Sequence, residues 1–254
     1  MALNALAFER PVNFLGEVLL SAGLALRGRW RFRAKDFGRV MADSSARAVT
    51  IVLVVNSLVG AILAFVGAVQ LAKFGAGIFV ADLVGIAMAR EMAAIITAVV
   101  IAGRTGAAFA AELATMQTNE EIDALKVLGL PAVDFLVLPR VTSLLLMMPL
   151  LYVFACMAGL VGGMAVSVSM LDVSAAAYME RTAGALTWTH LGLGFGKSLA
   201  FGALVGMVGC YYGLFAKRNA AGVGVATTGA VVTSIVGIIV LDAIFALCAN
   251  SLGI

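Results

Sequence analysis

The stretch GRTGAAFAAELATMQTNEEIDALKVLGLPAVDFLVLPR, residues 103–140, interrupts a chain that is otherwise strongly apolar. Its first part is rich in glycine and alanine and carries Arg104 and Glu112. Small residues allow close helix packing in lipid, whereas charged residues avoid the bilayer core. This first part therefore predicts a tightly packed helix end that leaves a membrane.

The polar part of the stretch predicts a short amphipathic helix. Thr118 and Glu121 have the spacing of a capping box, in which Thr118 is the N-cap. Asp123 suits the positive end of the helix dipole. Gly129 and Pro131 predict where the helix ends.

Two interpretations of this helix are open from its spacing alone. A compact polar helix between two long apolar segments suits a membrane domain that presents a rigid lever to a soluble partner. An ordinary capped loop between two transmembrane helices has the same spacing. We take the lever as the central hypothesis.

Composition places the chain among integral membrane proteins. It has 254 residues, of which 63% are hydrophobic and 12% charged, and its mean hydropathy is +1.08. Soluble domains contain about 45–50% apolar residues. The net charge of +3 is small and clustered near the N-terminus, which argues against nucleic acid as a partner.

The apolar segments predict an all-α integral membrane protein with five transmembrane helices. Residues 12–26 fall short of the about 20 residues needed to span a bilayer and predict an interfacial helix before the spans. The whole chain, 1–254, is predicted to be one membrane permease domain, with an N-terminal segment 1–45 and a five-helix core 51–249. The predicted spans are residues 51–71, 83–116, 141–171, 193–216 and 230–249.

Glycine spacing and one long connection complete the predicted architecture. Residues 172–190 are expected to form the longest external loop. Glycines four residues apart predict packing faces on two helices. These are Gly159 and Gly163 on the third span, and Gly202, Gly206, Gly209 and Gly213 on the fourth.

Basic residues predict the orientation in the membrane. Cytoplasmic flanks are rich in Lys and Arg, so a basic cluster after the interfacial segment places the N-terminus in the cytoplasm. The pair Lys217 and Arg218 lies on the same side, and five spans then place the C-terminus outside. The basic cluster consists of Arg27, Arg29, Arg31, Arg33, Lys35 and Arg39.

Four ionisable residues fall inside the predicted spans, namely Arg90, Glu91, Lys197 and Asp242. Each costs at least about 2.5–3.5 kcal/mol there and needs a partner or a wet cavity. In one interpretation they pair to hold helices together. In the other, Arg90, Glu91 and Lys197 line an outward-facing cavity that accepts the charged head of an amphiphile.

Motifs of other protein classes fail on inspection. Gly196, Lys197 and Ser198 look like the end of a phosphate-binding loop, but Leu191 stands where the first glycine is required. ATP is therefore expected to bind another chain. A lone His190 predicts no metal site. The three cysteines lie inside apolar runs and are expected to be buried thiols: Cys156, Cys210 and Cys248.

The run GRTGAAFAAELATMQTNEEIDALKVLGLPAVDFLVLPR resembles the signature of the MlaE (YrbE-like) permease family. In that family an acidic EQIDAL-type helix precedes a hydrophobic-Pro-Arg step, and here EEIDAL occupies residues 120–125. The resemblance extends from residues 83–104 to residues 220–242 and covers most of the chain beyond about residue 45. It implies the permease half of an ATP-binding-cassette (ABC) transporter that moves phospholipids between the inner and outer membranes of bacteria.

The resemblance also implies roles for particular residues. The lipid cavity would be bordered by Arg90, Glu91 and Lys197. Apart from the resemblance, the apolar residues Phe65, Val69 and Phe79 are our expected contacts for the lipid tails. The helix that couples to the ATPase would contribute Glu120, Glu121, Asp123, Ala124 and Leu125. Asp242 matches the Asp of the family's L-D step, and from the charges themselves we expect a charge network of Arg104, Glu112 and Asp242.

The partners implied by the resemblance are an ABC ATPase subunit that binds ATP and Mg, a second copy of the chain in a homodimer, and a periplasmic MCE-domain lipid-binding protein. A STAS-domain regulator is a further possible partner. The location is the bacterial inner membrane. The alternative is an ion- or proton-coupled secondary transporter that uses Glu91 or Asp242, although the sequence lacks the inverted repeat typical of such transporters.

Overall fold

The computed structural model describes residues 2–26, 34–171 and 173–253, and in these ranges it contains helices and no strand. The predicted all-α class is confirmed. The α-helices are α1 (Ala2–Leu26), α2 (Ala34–Leu71), α3 (Val80–Ala87), α4 (Ala93–Ile101), α5 (Ala107–Thr118), α6 (Glu121–Val127), α7 (Leu138–Met170), α8 (Ala175–Ala185), α9 (Trp188–Leu214) and α10 (Ala220–Ser251).

Five helical segments are long and apolar enough to cross a membrane, as predicted. Several helices begin earlier than expected, because sequence hydropathy marks the apolar stretch and not the helix end. For example, α10 begins at Ala220, where the Asn219 side chain accepts a hydrogen bond from the Gly222 N–H at 2.6 Å. The five segments are Ala48–Phe74, Gly77–Thr118, Val133–Met170, Trp188–Leu214 and Ala220–Ser251.

Three short π-helical segments interrupt these spans and were not predicted. They are Met88–Met92, Ala102–Gly106 and Val133–Val137. The third has a visible cause, because Pro139 lacks the N–H that would continue regular α-helical bonding. The first two hold Arg90, Glu91 and Arg104, so the wider turns fall where the spans carry charge.

The predicted capping box of the polar helix is wrong. Thr118 is the last residue of α5, and its hydroxyl donates to the Ala114 carbonyl at 2.9 Å. The residue before α6 is Glu120, which has a left-handed backbone with φ of 60° and forms no side-chain cap. Only two residues connect α5 and α6, and Thr118 belongs to the last turn of α5, so it cannot cap α6.

The predicted loop over residues 172–190 corresponds to the connection between the spans that end at Met170 and begin at Trp188, but it is not irregular throughout. It contains α8, which begins after Ser174, whose hydroxyl accepts a hydrogen bond from the Ala177 N–H at 3.2 Å. His190 lies in α9. Asp172 lies outside the described residues.

Two further predictions meet different outcomes. Cys156 and Cys210 are buried as expected, but Cys248, near the end of α10, is exposed, so that expectation is wrong for it. Of the basic cluster, Arg27, Arg29, Arg31 and Arg33 lie outside the described residues, and so do the side chains of Lys35 and Arg39. The orientation that this cluster predicts stays a prediction.

The chain forms two compact units, and the first comprises Met1–Ser44, Ile101–Leu146 and Gly202–Gly237. Helix α1 contributes buried Phe14 to its core, where the ring meets Tyr211 edge-on with centroids 5.5 Å apart. Gly209 packs closely, since a Cβ there would lie 2.7 Å from the Gly106 carbonyl oxygen. The core cluster is Phe14, Val18, Leu113, Ile122, Val133, Leu136, Val137, Val141 and Cys210.

The second unit comprises Ser45–Val100, Met147–Phe201 and Ile238–Ile254. The backbones of α2 and α7 meet in it at Gly60 and Gly159, where a Cβ on Gly60 would overlap the Gly159 carbonyl. A Cβ on Gly163 would lie 2.7 Å from the Val84 side chain. The predicted packing face at Gly159 and Gly163 is confirmed. One membrane domain for the whole chain stays a prediction.

Candidate functional site

Helix α6 is a two-turn helix with a defined beginning and end. Asn119 in the preceding turn donates to the Glu121 carboxylate at 3.0 Å. After the helix, Gly129 adopts a left-handed backbone with φ of 73°, and its N–H donates to the Lys126 carbonyl at 3.0 Å. The Leu130 N–H donates to the Leu125 carbonyl, which completes a Schellman-type end. The predicted stop at Gly129 is confirmed.

The two faces of α6 differ in exposure. Ile122 is 2% exposed, and Leu125 packs against the same apolar cluster of the first unit. On the other side Ala124 is exposed, and Val127 and Leu128 are 88% and 72% exposed. The helix thus rests on the protein by one face and leaves an apolar tip uncovered.

Asp123 fastens α6 to a distant part of the first unit. Its carboxylate accepts from Lys126 at 3.1 Å and from Arg218, in the α9–α10 connection, at 2.6 Å. These hydrogen bonds and positive charges hold the pKa of Asp123 below its usual value. The Gln117 side-chain amide lies against the same guanidinium, and with its oxygen toward Arg218 it would accept two hydrogen bonds, at 3.1 and 3.2 Å.

Glu112 has a partner that sequence analysis missed. Arg140 donates to it at 3.1 Å and to the Leu136 carbonyl at 2.8 Å. The guanidinium also lies 5.7 Å from the Phe109 ring centroid, and the Arg140 side chain is only 12% exposed. Arg104 lies half-buried in a π-helical segment of the same unit.

Lys197 is the centre of a second charge cluster, in the second unit. Its side chain is fully buried, and its ammonium donates to the carboxylates of Glu91 and Asp242, the latter at 2.7 Å. Arg90 Nε lies 3.7 Å from Glu91. A buried charge needs such partners, because desolvation is costly. The pairing alternative stated for these residues is therefore realised at Lys197.

The structure brings together only part of the predicted lipid site. Glu91 and Lys197 are in contact, with Arg90 beside Glu91. Phe65 and Val69 lie exposed on α2. Phe79 lies just before α3, and the Arg181 guanidinium packs over its ring, 4.5 Å from the ring centroid. Contact of any of these residues with a lipid stays a prediction.

A third charged cluster joins α8 to the beginning of α3. Arg181 donates to one oxygen of Asp82 through Nε at 3.1 Å and Nη2 at 2.8 Å. A cavity of about 530 Å³ adjoins this pair. It is lined by Ile78, Asp82, Ala177, Glu180, Arg181, Gly184 and Ala185.

Sequence analysis missed the roles of Arg140, Arg181 and Arg218. From the sequence, Lys217 and Arg218 indicate only the orientation in the membrane. The sequence signal for the Arg218 ion pair is weak: this residue follows a span, and the acidic helix α6 lies elsewhere in the chain. Nothing in the sequence selects Asp123 as its partner.

Comparison with known proteins gives one family. The family model described as Permease MlaE matches residues 37–248. A probable ABC transporter permease protein of Synechocystis sp. is 36% identical over 191 residues, which cover 75% of this chain and 72% of that protein. One of Rickettsia conorii is 36% identical over 181 residues, with 71% and 70% covered. Protein TRIGALACTOSYLDIACYLGLYCEROL 1, chloroplastic, of Arabidopsis thaliana is 31% identical over 229 residues, with 89% and 63% covered.

Proposed function

Because the chain belongs to the MlaE permease family, we propose that it is the transmembrane subunit of an ABC transporter that moves phospholipids between the inner and outer membranes of a bacterium. The match over residues 37–248 carries this proposal. The relatives named as probable ABC transporter permeases support the transporter class. The Arabidopsis relative bears the name of a diacylglycerol lipid, which supports lipid as the cargo.

The energy for transport comes from a partner in this proposal. An ABC ATPase binds ATP and Mg, and this chain performs no bond chemistry. The complex would contain two copies of the chain, two ATPase subunits and a periplasmic MCE-domain protein, with a STAS-domain regulator as a further partner. It would lie in the inner membrane, with the N-terminus in the cytoplasm and the C-terminus in the periplasm.

Helix α6 is the part of the chain that we assign to contact with the ATPase. Its exposed tip, Val127 and Leu128, supports this assignment, because exposed apolar side chains outside a bilayer favour protein contact. Glu120, Glu121 and Ala124 are also exposed and would border the contact. Asp123 and Leu125 would act indirectly, since both already bind other parts of the chain.

The cluster of Glu91, Lys197 and Asp242, with Arg90 beside it, is our candidate for the headgroup end of the lipid path. Partly exposed carboxylates around a buried ammonium are a polar feature within apolar spans. The same pairing disfavours the alternative proton-coupled transporter, because both carboxylates already accept a hydrogen bond from the Lys197 ammonium.

The contact with the ATPase is tested by Leu128→Asp. The chain is purified from membranes in mild detergent, and the P-loop ATPase that remains attached is quantified. Leu252→Asp is the matched control, because Leu252 is also a leucine that is 72% exposed. We expect Leu128→Asp to reduce ATPase recovery at least tenfold and the control to leave it unchanged. Equal recovery with both variants would overturn the assignment of α6.

The cargo is tested in proteoliposomes that contain the complete complex and a fluorescent phospholipid. The proposal expects phospholipid movement that requires ATP and is insensitive to a proton gradient. Movement driven by a proton gradient without ATP, and lost in Glu91→Gln, would instead support the secondary transporter.

A further inference from the structure

The π-helical segment Met88–Met92 leaves one backbone carbonyl without its usual donor. In an α-helix, the N–H of Ala93 would donate to the carbonyl four residues earlier, which is that of Ala89. Here the Ala93 N–H donates to Met88, five residues earlier. The Ala89 carbonyl is buried and needs another donor, because an unsatisfied buried carbonyl is costly.

Tyr152 of α7 supplies that donor. Its hydroxyl donates to the Ala89 carbonyl at 2.5 Å, and the side chain is buried, with 2% of its surface exposed. One helical turn further along α7, the Cys156 thiol lies 4.0 Å from the Met88 carbonyl. The Met88 and Ala89 carbonyls of the wide turn thus contact side chains on the same face of α7.

Helix α9 contacts the same turn through two residues on one face. Gly194 leaves room for the Ala89 carbonyl, since a Cβ there would overlap both this oxygen and the Tyr152 hydroxyl. Lys197, three residues later and therefore on the same face, pairs with Glu91. The position of Glu91 toward Lys197 thus depends on the same turn that Tyr152 binds.

We propose that Tyr152 is a positioning residue, which holds Met88–Met92 in the π-helical form that directs Glu91 to Lys197. Without the hydroxyl, the Ala93 N–H returns to the Ala89 carbonyl and the turn becomes α-helical. This change removes the extra residue from the turn and rotates Glu91 relative to α9. A role of this cluster in lipid transport rests on the proposed function. The effect of Tyr152 on the contact between Glu91 and Lys197 is independent of that function.

The test is Tyr152→Phe in the full chain, with Tyr178→Phe as the matched control. Both tyrosines are buried in the second unit, but the Tyr178 hydroxyl has no hydrogen-bond partner of normal geometry among the described residues. Lysines are methylated reductively in mild detergent and quantified by peptide mass spectrometry. Lys73, which is exposed in the same unit, is the internal reference.

In the native chain Lys197 is expected to react at least tenfold more slowly than Lys73. Tyr152→Phe should raise the reactivity of Lys197 several-fold at unchanged Lys73 reactivity and unchanged elution in gel filtration. Tyr178→Phe should leave both lysines as in the native chain. If Tyr152→Phe does not fold, Gly194→Ala disturbs the same hydrogen bond from the other side, since its Cβ would overlap both the Ala89 carbonyl and the Tyr152 hydroxyl. Native protection of Lys197 in a folded Gly194→Ala chain would likewise overturn the proposal.

Native protection of Lys197 in a folded Tyr152→Phe chain would overturn the proposal, and so would equal effects of the two tyrosine variants. The phospholipid assay is run in parallel and tests a separate claim. If the native complex moves no phospholipid but Lys197 responds as expected, the proposed function fails and the role of Tyr152 stands.

Discussion

Arg218, in the connection between α9 and α10, donates a hydrogen bond to Asp123 of α6 at 2.6 Å across a separation of 95 residues in sequence. The same guanidinium lies against the Gln117 amide at the end of α5. Helix α6 is therefore held by an ion pair as well as by its apolar face. If the ATPase binds α6, a movement of α6 would be transmitted to the α9–α10 connection through this ion pair.

Arg218→Ala should weaken coupling between ATPase activity and transport. The variant removes the bond to Asp123 but leaves Ile122 in the apolar cluster, so the chain should fold and α6 should move more freely. We expect a several-fold loss of lipid moved per ATP hydrolysed in proteoliposomes. Lys217→Ala is the matched control, because this neighbouring residue is also exposed and the ion pair to Asp123 of α6 comes from Arg218. Identical coupling in the two variants would contradict the role of Arg218.

The attachment of α6 to Arg218 should weaken only at acidic pH. The pKa of Asp123 is lowered by the hydrogen bond from Lys126 and by Arg218. The ionised carboxylate therefore stabilises the attachment above its unfolded pKa of about 4, and this contribution is lost as the pH falls through the lower folded pKa. A nitroxide at Leu128→Cys, with Cys248→Ser, should become more mobile below about pH 4. In Asp123→Asn the label should already be mobile at pH 7, and a label that stays immobile there would contradict the mechanism.

Lys197→Met should destabilise the chain strongly. The variant removes the ammonium between Glu91 and Asp242 and leaves two partly buried carboxylates side by side. Breaking a buried ion pair in this way costs about 3–5 kcal/mol, so the melting temperature in detergent should fall clearly. The triple variant Lys197→Met, Glu91→Gln, Asp242→Asn should recover much of the loss. A single variant as stable as the native chain would show that the pairs contribute little.

Gly60→Ala should destabilise the contact between α2 and α7. The new Cβ would overlap the Gly159 carbonyl, and overpacking of this kind costs about 1–3 kcal/mol. Gly192→Ala, in α9 with no atom within 4 Å of its Cβ position, should gain about 0.5–1 kcal/mol from lower unfolded-state entropy. Thermal unfolding in one detergent measures both, and shifts of the same sign would contradict this packing argument.

Much of the fold follows from local sequence. Span number depends on apolar stretches of a length set by the bilayer, so the five spans were predicted correctly although several helix ends were not. Gly129 ends α6 because a left-handed residue is required there, which is also a local property. The Thr118 cap failed because the hydroxyl had a competing acceptor one turn earlier in α5.

By itself the sequence determined the membrane class, the five spans, the presence of a short polar helix that stops before Gly129, and the family resemblance. Only the tertiary structure decided which charges meet, such as Arg218 with Asp123 and Lys197 with Glu91 and Asp242. It also decided that the Tyr152 hydroxyl binds the Ala89 carbonyl. The physical reason is that hydropathy and turn geometry act within one segment, whereas an ion pair or a donor for a freed carbonyl depends on how separate helices pack.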